Sequence, residues 1–198
     1  MTGPGTAAGP GAGGRPDHPE AGGPVREPVT PAELAVVAAQ LGRRPRGTRA
    51  VAHRCPCGLP DVVETSPRLP DGTPFPTLYY LTCPRAVAAC GRLEAAGTMR
   101  EMNRRLAEDP DLAARYRAAH HDYLARREAI EVVPEIAGVS AGGMPGRVKC
   151  LHALLAHSLA VGPGVNPFGD ETRELVGRWW TDGPCVRPPD EAGAAASA

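Results

Sequence analysis

The sequence predicts an α+β fold in which a small N-terminal β-sheet of about three strands packs against a helical C-terminal part. Three observations predict it. The strand-like segments all lie before residue 84, and helical spacing of apolar residues dominates after it. Both ends of the chain consist mainly of small residues and proline. Strands that come first and helices that come later are typical of α+β proteins, whereas α/β proteins alternate the two.

Both ends of the chain are predicted to be disordered tails around one folded domain. The 198 residues include 24 glycines and 23 prolines, and the first 30 residues hold 8 of these glycines and 6 of these prolines. The same 30 residues contain no Leu, Ile, Phe, Tyr or Trp, so they bury too little apolar surface to offset the loss of chain entropy. We therefore expect tails at 1–30 and 184–198 and a single α+β domain at 31–183.

The first folded element is predicted to be a helix with clear start and stop signals. Thr30 is a suitable N-cap, Pro31 fits the first helical position, and Glu33 completes a capping box. Leu34 begins an apolar face, and Gly42 ends the helix.

Short strands are predicted next. The segments 49–53 and 61–65 are joined across RCPCGLP, and TLYYLTC at 77–83 is the strongest strand because it is rich in aromatic and β-branched residues. Helical spacing of apolar residues then predicts helices over 84–96, 98–108, about 110–130, 147–160 and 171–180.

The composition excludes some functions. The apolar stretches are all far shorter than the ~18–20 residues that cross a bilayer, and the first residues lack the apolar core of a signal peptide. We therefore expect no membrane insertion and a cytoplasmic location, where cysteines are reduced, metal-bound or catalytic rather than disulfide-bonded. The 22 basic and 22 acidic residues cancel, which argues against an extended nucleic-acid-binding surface.

Cys83 is the first candidate for chemistry. It ends the strongest strand and precedes Pro84, which suits the first position of a helix. A thiol at a helix N-terminus and next to Arg85 is expected to have a lowered pKa. The alternative is a small buried cysteine that happens to end a strand.

A shared metal site is the second candidate. Cys55 and Cys57 are separated by one residue instead of the usual two, so a chelate by this pair is strained. Cys150 and His152 lie two positions apart, roughly 200° around a helix, and cannot share a metal unless the helix begins later. One zinc or iron ion could still use Cys55 or Cys57 together with Cys83 and one or both of Cys150 and His152.

An anion site is the third candidate. Gly142, Gly143 and Gly146 precede Arg147 and Lys149. Free amides at a helix N-terminus beside two cations can hold an anion. The alternative is an ordinary loop with capping glycines. Lys149 stands out because the other 21 basic residues are all arginines.

Four separated motifs together resemble a known family, the bacterial proteins catalogued as domain of unknown function 501. The motifs, in chain order, are RCPCGLP at 54–60, PTLYYLTCP at 76–84, MPGRVKCLHALLAH at 144–157 and GVNPFGDE at 164–171. The resemblance covers about residues 34–180. It brings no established activity, and it implies only an association with a septum-formation initiator and an exopolyphosphatase-like protein, near which members are often encoded.

The resemblance narrows the candidate site. In the family pattern the position of Cys57 need not be cysteine, which implies a centre built from Cys55, Cys83, Cys150 and His152. Asn166 also matches the pattern, and it is expected at the rim with Arg147 and Lys149.

Three functions stay open at this point. The first is a metal-binding or thiol-dependent site, which requires the side chains of the predicted centre to converge. The second is a non-enzymatic binding module for an anionic ligand or a protein partner, with the cysteines in the core. The third is an enzyme whose nucleophile is Cys83 or Cys150, with His152 or His157 as its base.

Overall fold

The computed structural model describes residues 24–187 and has an α+β fold, as the sequence predicts. Its strands are β1 (Pro24–Pro28), β2 (Thr48–Arg54), β3 (Pro60–Thr65) and β4 (Tyr79–Leu81). Its helices are α1 (Pro31–Leu41), α2 (Pro84–Ala95), α3 (Thr98–Glu108), α4 (Pro110–Glu128), α5 (Leu151–Val161) and α6 (Pro167–Val176), with a 3-10 turn at Pro134–Ile136. None of these described helices has the length and apolar character required to cross a membrane.

The four strands form one antiparallel sheet in the order β1-β2-β3-β4, one strand more than the sequence predicts. The additional strand is β1, which lies in the segment 24–28 that the sequence assigned to a tail. It is held by backbone pairing with β2, where Glu27 lies opposite Val51, and by an ion pair between Glu27 and Arg54. Proline is tolerated in such an edge strand. The remainder of that predicted tail, residues 1–23, lies outside the described residues.

Helix α1 has the termini that the sequence predicts. The Thr30 side chain accepts a hydrogen bond from the Glu33 amide, the Glu33 carboxylate accepts one from the Thr30 amide, and Gly42 closes the helix with φ 65°. The Gln40 amide group donates to the Pro60 carbonyl at 2.7 Å, which fixes the end of α1 against β3.

Helix α5 is the centre of the fold. It contacts all four strands as well as α2 and α6, and nearly all its side chains are buried. Helix α6 packs directly on it because Gly169 has no side chain: a Cβ there would lie 2.4 Å from the Leu154 carbonyl oxygen.

Helices α5 and α6 differ most from their predicted bounds, and α6 also ends at Val176 instead of at 180. Helix α5 begins at Leu151 and not at 147, because the Arg147 and Lys149 amides donate to the carbonyls of Gly143 and Gly142 instead of starting a helix. Helix α6 begins four residues before the predicted start, because the Asn166 side chain accepts a hydrogen bond from the Gly169 amide and acts as N-cap.

The predicted start of the C-terminal tail, at residue 184, is also corrected. The Arg85 guanidinium donates to the Gly183 carbonyl at 2.6 Å and to the Asp182 carbonyl at 3.3 Å. Cys185 follows directly and packs against the core. Cys185, which the sequence assigns to a tail, thus lies on the domain, while 188–198 fall outside the described residues.

Candidate metal centre

Glu94, Cys150 and His152 bring three potential metal ligands together. The Cys150 Sγ lies 3.8 Å from the His152 Nδ1, and the Glu94 Oε1 lies 3.1 Å from the same nitrogen. Within residues 24–187, this is the one group of three or more His, Cys, Asp or Glu side chains whose ligand atoms all lie within 4.8 Å of one another. The three residues are half-buried, so the cluster is accessible from solvent.

The late start of α5 explains why Cys150 and His152 meet. Cys150 is the N-cap, with an extended backbone (φ −151°, ψ 109°), so the roughly 200° separation of two helical neighbours does not apply. The approach to the helix is fixed from both sides. The Asn103 side chain forms hydrogen bonds with the amide and the carbonyl of Val148, and the Lys149 amide donates to the Gly142 carbonyl at 2.7 Å.

Two glycines are required for this approach. Gly142 and Gly143 have φ of 68° and 93°, a region that residues with a side chain rarely adopt. A Cβ at Gly143 would lie 2.6 Å from the Arg147 carbonyl oxygen, and a Cβ at Gly142 would lie 2.5 Å from a methyl group of Leu154. The glycines that predicted an anion-binding loop instead close this turn on itself.

Glu94 is the member of the cluster that sequence reasoning missed. It lies in the last turn of α2, and its Oε1 accepts the Leu151 amide hydrogen at 2.8 Å, satisfying one of the free amides of the α5 N-terminus. The contact spans 57 residues of sequence, which no local pattern reveals. The available signal is weak: Val87 and Glu94 are seven residues apart and therefore share one face of a helix.

The two nitrogens of His152 have different surroundings. The Nε2 lies 3.1 Å from the Val87 carbonyl oxygen, which can accept only a hydrogen, so this nitrogen is the protonated one in the neutral ring. The Nδ1 faces the Cys150 thiol and the Glu94 carboxylate. A hydrogen bond that fixes one ring nitrogen while the other faces the ligand position is typical of histidines that bind metals.

Within the cluster, the charges of His152 and Cys150 stabilise each other. The hydrogen bond with Cys150 raises the pKa of His152 to about 9 against the opposing effect of burial, and the Glu94 carboxylate adds to the rise. Burial raises the pKa of Cys150, but the hydrogen bonds from His152 and from the Ala153 amide outweigh it and bring the pKa below its ordinary value. The cluster therefore favours a thiolate beside an imidazolium.

The cluster opens onto a cavity of about 560 Å³ between α1, β4, α2 and α5. Cys150 and His152 form one end of its wall, and Gln40 and Thr82 provide further polar groups. The remaining wall is mainly apolar, with Tyr79 and Val87 among its side chains. A concave, mainly apolar surface with a few converging polar groups is the usual form of a small-molecule site.

Cys55 does not join this cluster, so the predicted four-residue centre is corrected. It is buried on the turn after β2, its side chain is hydrogen-bonded to Cys57, and burial above all raises its pKa to about 12. A neutral buried thiol with a thiol partner is a core residue and not an accessible ligand.

Cys83 is also separate from the cluster. It is the N-cap of α2, with Pro84 at the first position, as predicted. Its pKa is nevertheless raised, first by the hydrogen bond with Cys185 and then by burial. The same hydrogen bond lowers the pKa of Cys185 to about 6, against the effect of burial. The acidic thiol of this pair is therefore Cys185, and the expectation of a thiolate at Cys83 is wrong.

The predicted anion site does not form as a unit. Arg147 and Lys149 are exposed, but their amides are occupied by the glycine carbonyls described above. Asn166 is fully buried, because its side chain caps α6 and its Nδ2 donates to the His157 Nδ1 at 3.2 Å. Asn166 is thus a structural residue and not part of a rim.

His157 is buried in the core, away from the thiols. Since Asn166 donates to its Nδ1, its proton lies on Nε2, which donates to the Asp122 carboxylate at 3.1 Å. Its ring stacks on Tyr79, with centroids 5.9 Å apart. Both nitrogens are therefore used in holding α4, α5 and α6 together.

Comparison with known proteins gives one match. A family model described as a protein of unknown function, DUF501, matches residues 51–174 and so covers more than half of the chain. The matched range includes all three residues of the cluster. No curated protein matches the chain, and no solved structure matches it either.

Proposed function

The chain belongs to the DUF501 family, whose description names no function, and we propose that this member binds one zinc ion through Glu94, Cys150 and His152. The ion would lie at the edge of the cavity described above. Three protein ligands leave the fourth position of a tetrahedral zinc ion for water or for a substrate, which is the pattern of catalytic zinc sites, whereas structural sites use four protein ligands.

The observation that carries the proposal is the position of one atom, the His152 Nδ1. Both the Cys150 sulfur and the Glu94 oxygen face this nitrogen, while the other ring nitrogen is bonded to the Val87 carbonyl. In a relay between a cysteine and an acid, the two partners normally contact opposite nitrogens of the imidazole. Three ligand atoms that converge from one side instead suit a single ion between them.

The distances support the same assignment. Zinc bonds of about 2.3 Å to sulfur and about 2.0–2.1 Å to nitrogen, at a tetrahedral angle, separate the two ligand atoms by about 3.6 Å. The corresponding estimate for nitrogen and a carboxylate oxygen is about 3.4 Å. The distances found for these two pairs are 3.8 Å and 3.1 Å, within a few tenths of an ångström of those values, and the sulfur and the carboxylate oxygen lie within 4.8 Å of each other.

Zinc suits the donor set better than iron. One thiolate, one imidazole and one carboxylate form a borderline set that zinc accepts, whereas the common non-haem iron site uses two histidines and one carboxylate. The carboxylate and the ring are each fixed by a further hydrogen bond, to the Leu151 amide and the Val87 carbonyl, as in established metal sites. A bound zinc ion would lower the pKa of a coordinated water and so provide a hydroxide for hydrolysis at neutral pH.

Metal content tests the proposal. Untagged protein purified without chelator is expected to contain one zinc ion per chain by elemental analysis. Glu94→Gln, Cys150→Ser and His152→Gln should each lower the content at least tenfold, because each removes one of only three ligands. Cys57→Ser and His121→Gln are matched controls outside the cluster and should retain the metal. A metal-free wild type, or variants that keep full zinc, would refute the proposal.

The charge distribution favours a second candidate, an enzyme with Cys150 as its nucleophile. The lowered pKa of Cys150 and the raised pKa of His152 are typical of an activated thiolate. The two candidates differ when zinc is added. If the cluster binds zinc, the ion protects Cys150 from iodoacetamide, whereas a metal-independent nucleophile reacts at the same rate with and without zinc.

The proposed zinc site is consistent with the cytoplasmic location that the sequence predicts. All six cysteines are free thiols, which is the usual state in a reducing compartment. A thiolate ligand also requires such conditions, because oxidation of Cys150 would remove the zinc site.

A further inference from the structure

Two cysteines outside the metal centre lie close together in the fold. Cys83, at the N-terminus of α2, is fully buried in the core, and Cys185 packs against the same core. Arg85, two positions after Cys83, donates to the carbonyl of Gly183, two positions before Cys185. Cys185 is only partly buried, so an oxidant can reach it from solvent. The residues are about 100 positions apart in the sequence, so the fold and not the local chain brings the sulfurs together.

The segment that carries Cys185 is held in place by defined contacts. The Gln40 amide group donates to the Cys185 sulfur at 3.3 Å. The Arg85 guanidinium donates to the carbonyls of Asp182 and Gly183. The pair is thus positioned by α1 and α2 on one side of the C-terminal segment. Gln40, Thr82 and Pro84 also line the cavity of the metal centre.

The two members of the pair differ in reactivity. Cys185 has a pKa of about 6, because Cys83 and Gln40 donate hydrogen bonds to its sulfur and Arg85 lies near it. Thiolates and not thiols attack oxidants. Cys83 stays protonated beside it and is shielded from solvent. This is the arrangement of a reacting cysteine next to a resolving cysteine.

We propose that Cys83 and Cys185 form a reversible disulfide that ties the C-terminal segment to the N-terminus of α2 when the protein meets a peroxide. The proposal does not depend on the metal centre, since neither thiol belongs to that cluster.

The reaction balances with hydrogen peroxide as the oxidant. The Cys185 thiolate attacks one peroxide oxygen, the O–O bond breaks, and hydroxide leaves, so Cys185 becomes a sulfenic acid. The Cys83 sulfur then attacks the Cys185 sulfur, the S–O bond breaks, and the Cys83 proton leaves with the hydroxyl group as water. Two thiols lose two electrons in total, and one peroxide becomes two waters. A dithiol reverses the step by thiol–disulfide exchange.

Peptide mapping of the full chain tests the proposal. The reduced protein, freed of metal by a chelator, is treated with hydrogen peroxide, blocked with N-ethylmaleimide at low pH and digested with trypsin without reductant. Cys83 then lies in the peptide 69–85 and Cys185 in the peptide 179–198. The expected result is that most of the Cys185 peptide is joined to the Cys83 peptide, at a mass two hydrogens below the sum, and is released by dithiothreitol.

Variants fix the interpretation. Cys185→Ser should abolish the joined peptide while the fold is retained, because residue 185 is not fully buried. Cys150→Ser and Cys57→Ser should leave its yield within twofold of wild type. Three results would each overturn the proposal: Cys185 oxidised further with Cys83 still free, Cys185 joined to a different cysteine or a second chain, or a product that dithiothreitol does not release.

Discussion

At the scale of single residues, the cluster depends on side chains whose roles come from their neighbours. The side chains of Cys150 and His152 approach each other because the backbone is extended at Cys150, just before α5 begins. Glu94 lies beside them because its carboxylate accepts the Leu151 amide hydrogen at the same helix end. Asn166, by contrast, lies in an equally distinctive motif and is a buried cap. A sequence motif therefore marks a residue as important to the protein. Whether that residue takes part in chemistry or stabilises the fold is shown by the groups that its side chain contacts.

Gly143→Ala should destabilise the protein more than Gly138→Ala. Both glycines have positive φ, 93° and 69°, but a Cβ meets the Arg147 carbonyl oxygen at Gly143 and nothing within 4 Å at Gly138. We expect a loss of about 1 kcal/mol in the free energy of unfolding for Gly138→Ala, from backbone strain alone. For Gly143→Ala we expect roughly 3 kcal/mol.

Urea denaturation checks this pair, and zinc titration adds a second measurement. The Gly143→Ala variant should bind zinc at least tenfold more weakly, because the turn that positions Cys150 must shift, while Gly138→Ala keeps the affinity of wild type. Equal losses in the free energy of unfolding of the two variants would show that the clash between a Cβ at Gly143 and the Arg147 carbonyl oxygen does not affect stability.

At the scale of the elements, a partly buried polar network joins α4, α5 and α6. Asp122 on α4 accepts hydrogen bonds from His157 on α5 and from Arg126, and His157 accepts one from the α6 cap Asn166. The hydrogen bond from His157 lowers the pKa of Asp122 to about 2, against the effect of burial and with a further contribution from Arg126. Helix packing here is therefore sensitive to acid.

The pH dependence of stability follows from that shift. The folded protein holds the pKa of Asp122 below its ordinary value of 3.8, so the stabilising effect is complete above about pH 4 and is lost as the pH falls towards 2. The contribution is about 1 kcal/mol in the free energy of unfolding, because solvent screens a carboxylate that is partly exposed. Urea denaturation between pH 5 and 2 should show a smaller loss in Asp122→Asn than in wild type, because other carboxylates whose pKa is lowered, such as those of Glu33 and Asp71, remain in the variant.

Glu128→Gln is the matched control for that series, since it neutralises an exposed carboxylate of the same helix. It should retain the acid-dependent loss of wild type. An Asp122→Asn variant whose stability falls with acid as steeply as wild type would contradict the assignment of the effect to this network.

The elements also differ in how far the sequence predicts them. Helix α1 and the N-terminus of α2 are predictable because their signals are local: a capping box, a proline at the first position and a closing glycine. Strand β1 is not, because it is held by pairing with β2 and not by its own apolar residues. The start of α5 is missed because the loop carbonyls of Gly142 and Gly143 accept the amides of Arg147, Lys149 and Cys150, and the side chain of the distant Asn103 accepts that of Val148.

At the scale of the whole molecule, the sequence predicts the fold class and two of the three residues of the candidate site. The order of strands and helices can be predicted because it depends on the spacing of apolar residues, which is visible in the sequence itself. Cys150 and His152 are predictable as chemically capable residues. Their partner Glu94 is not, because a contact across 57 residues depends on how α2 and α5 pack. The family resemblance also groups Cys55 and Cys83 with them, because all four lie in its motifs, but shared motifs carry no information on the distance between side chains.

The Cys83–Cys185 disulfide should stabilise the whole chain when it forms. It closes a loop of about 100 residues and so reduces the entropy of the unfolded state, which we expect to raise the free energy of unfolding by about 3 kcal/mol. For a chain of this size that corresponds to a rise in Tm of roughly 6–12 °C. Thermal unfolding of oxidised and reduced protein measures the difference, and Cys185→Ser should show none. A lower Tm on oxidation would contradict a disulfide that fits the native fold.

X-ray absorption at the zinc edge tests the central claim, the three-ligand zinc site, most directly. The full chain loaded with one equivalent of zinc is predicted to show one sulfur at about 2.3 Å and nitrogen or oxygen ligands at about 2.0–2.2 Å. The sulfur contribution should vanish in Cys150→Ser and persist in Cys57→Ser. Two or more sulfur ligands in wild type, or a sulfur contribution that survives in Cys150→Ser, would contradict the assignment of the site to Glu94, Cys150 and His152.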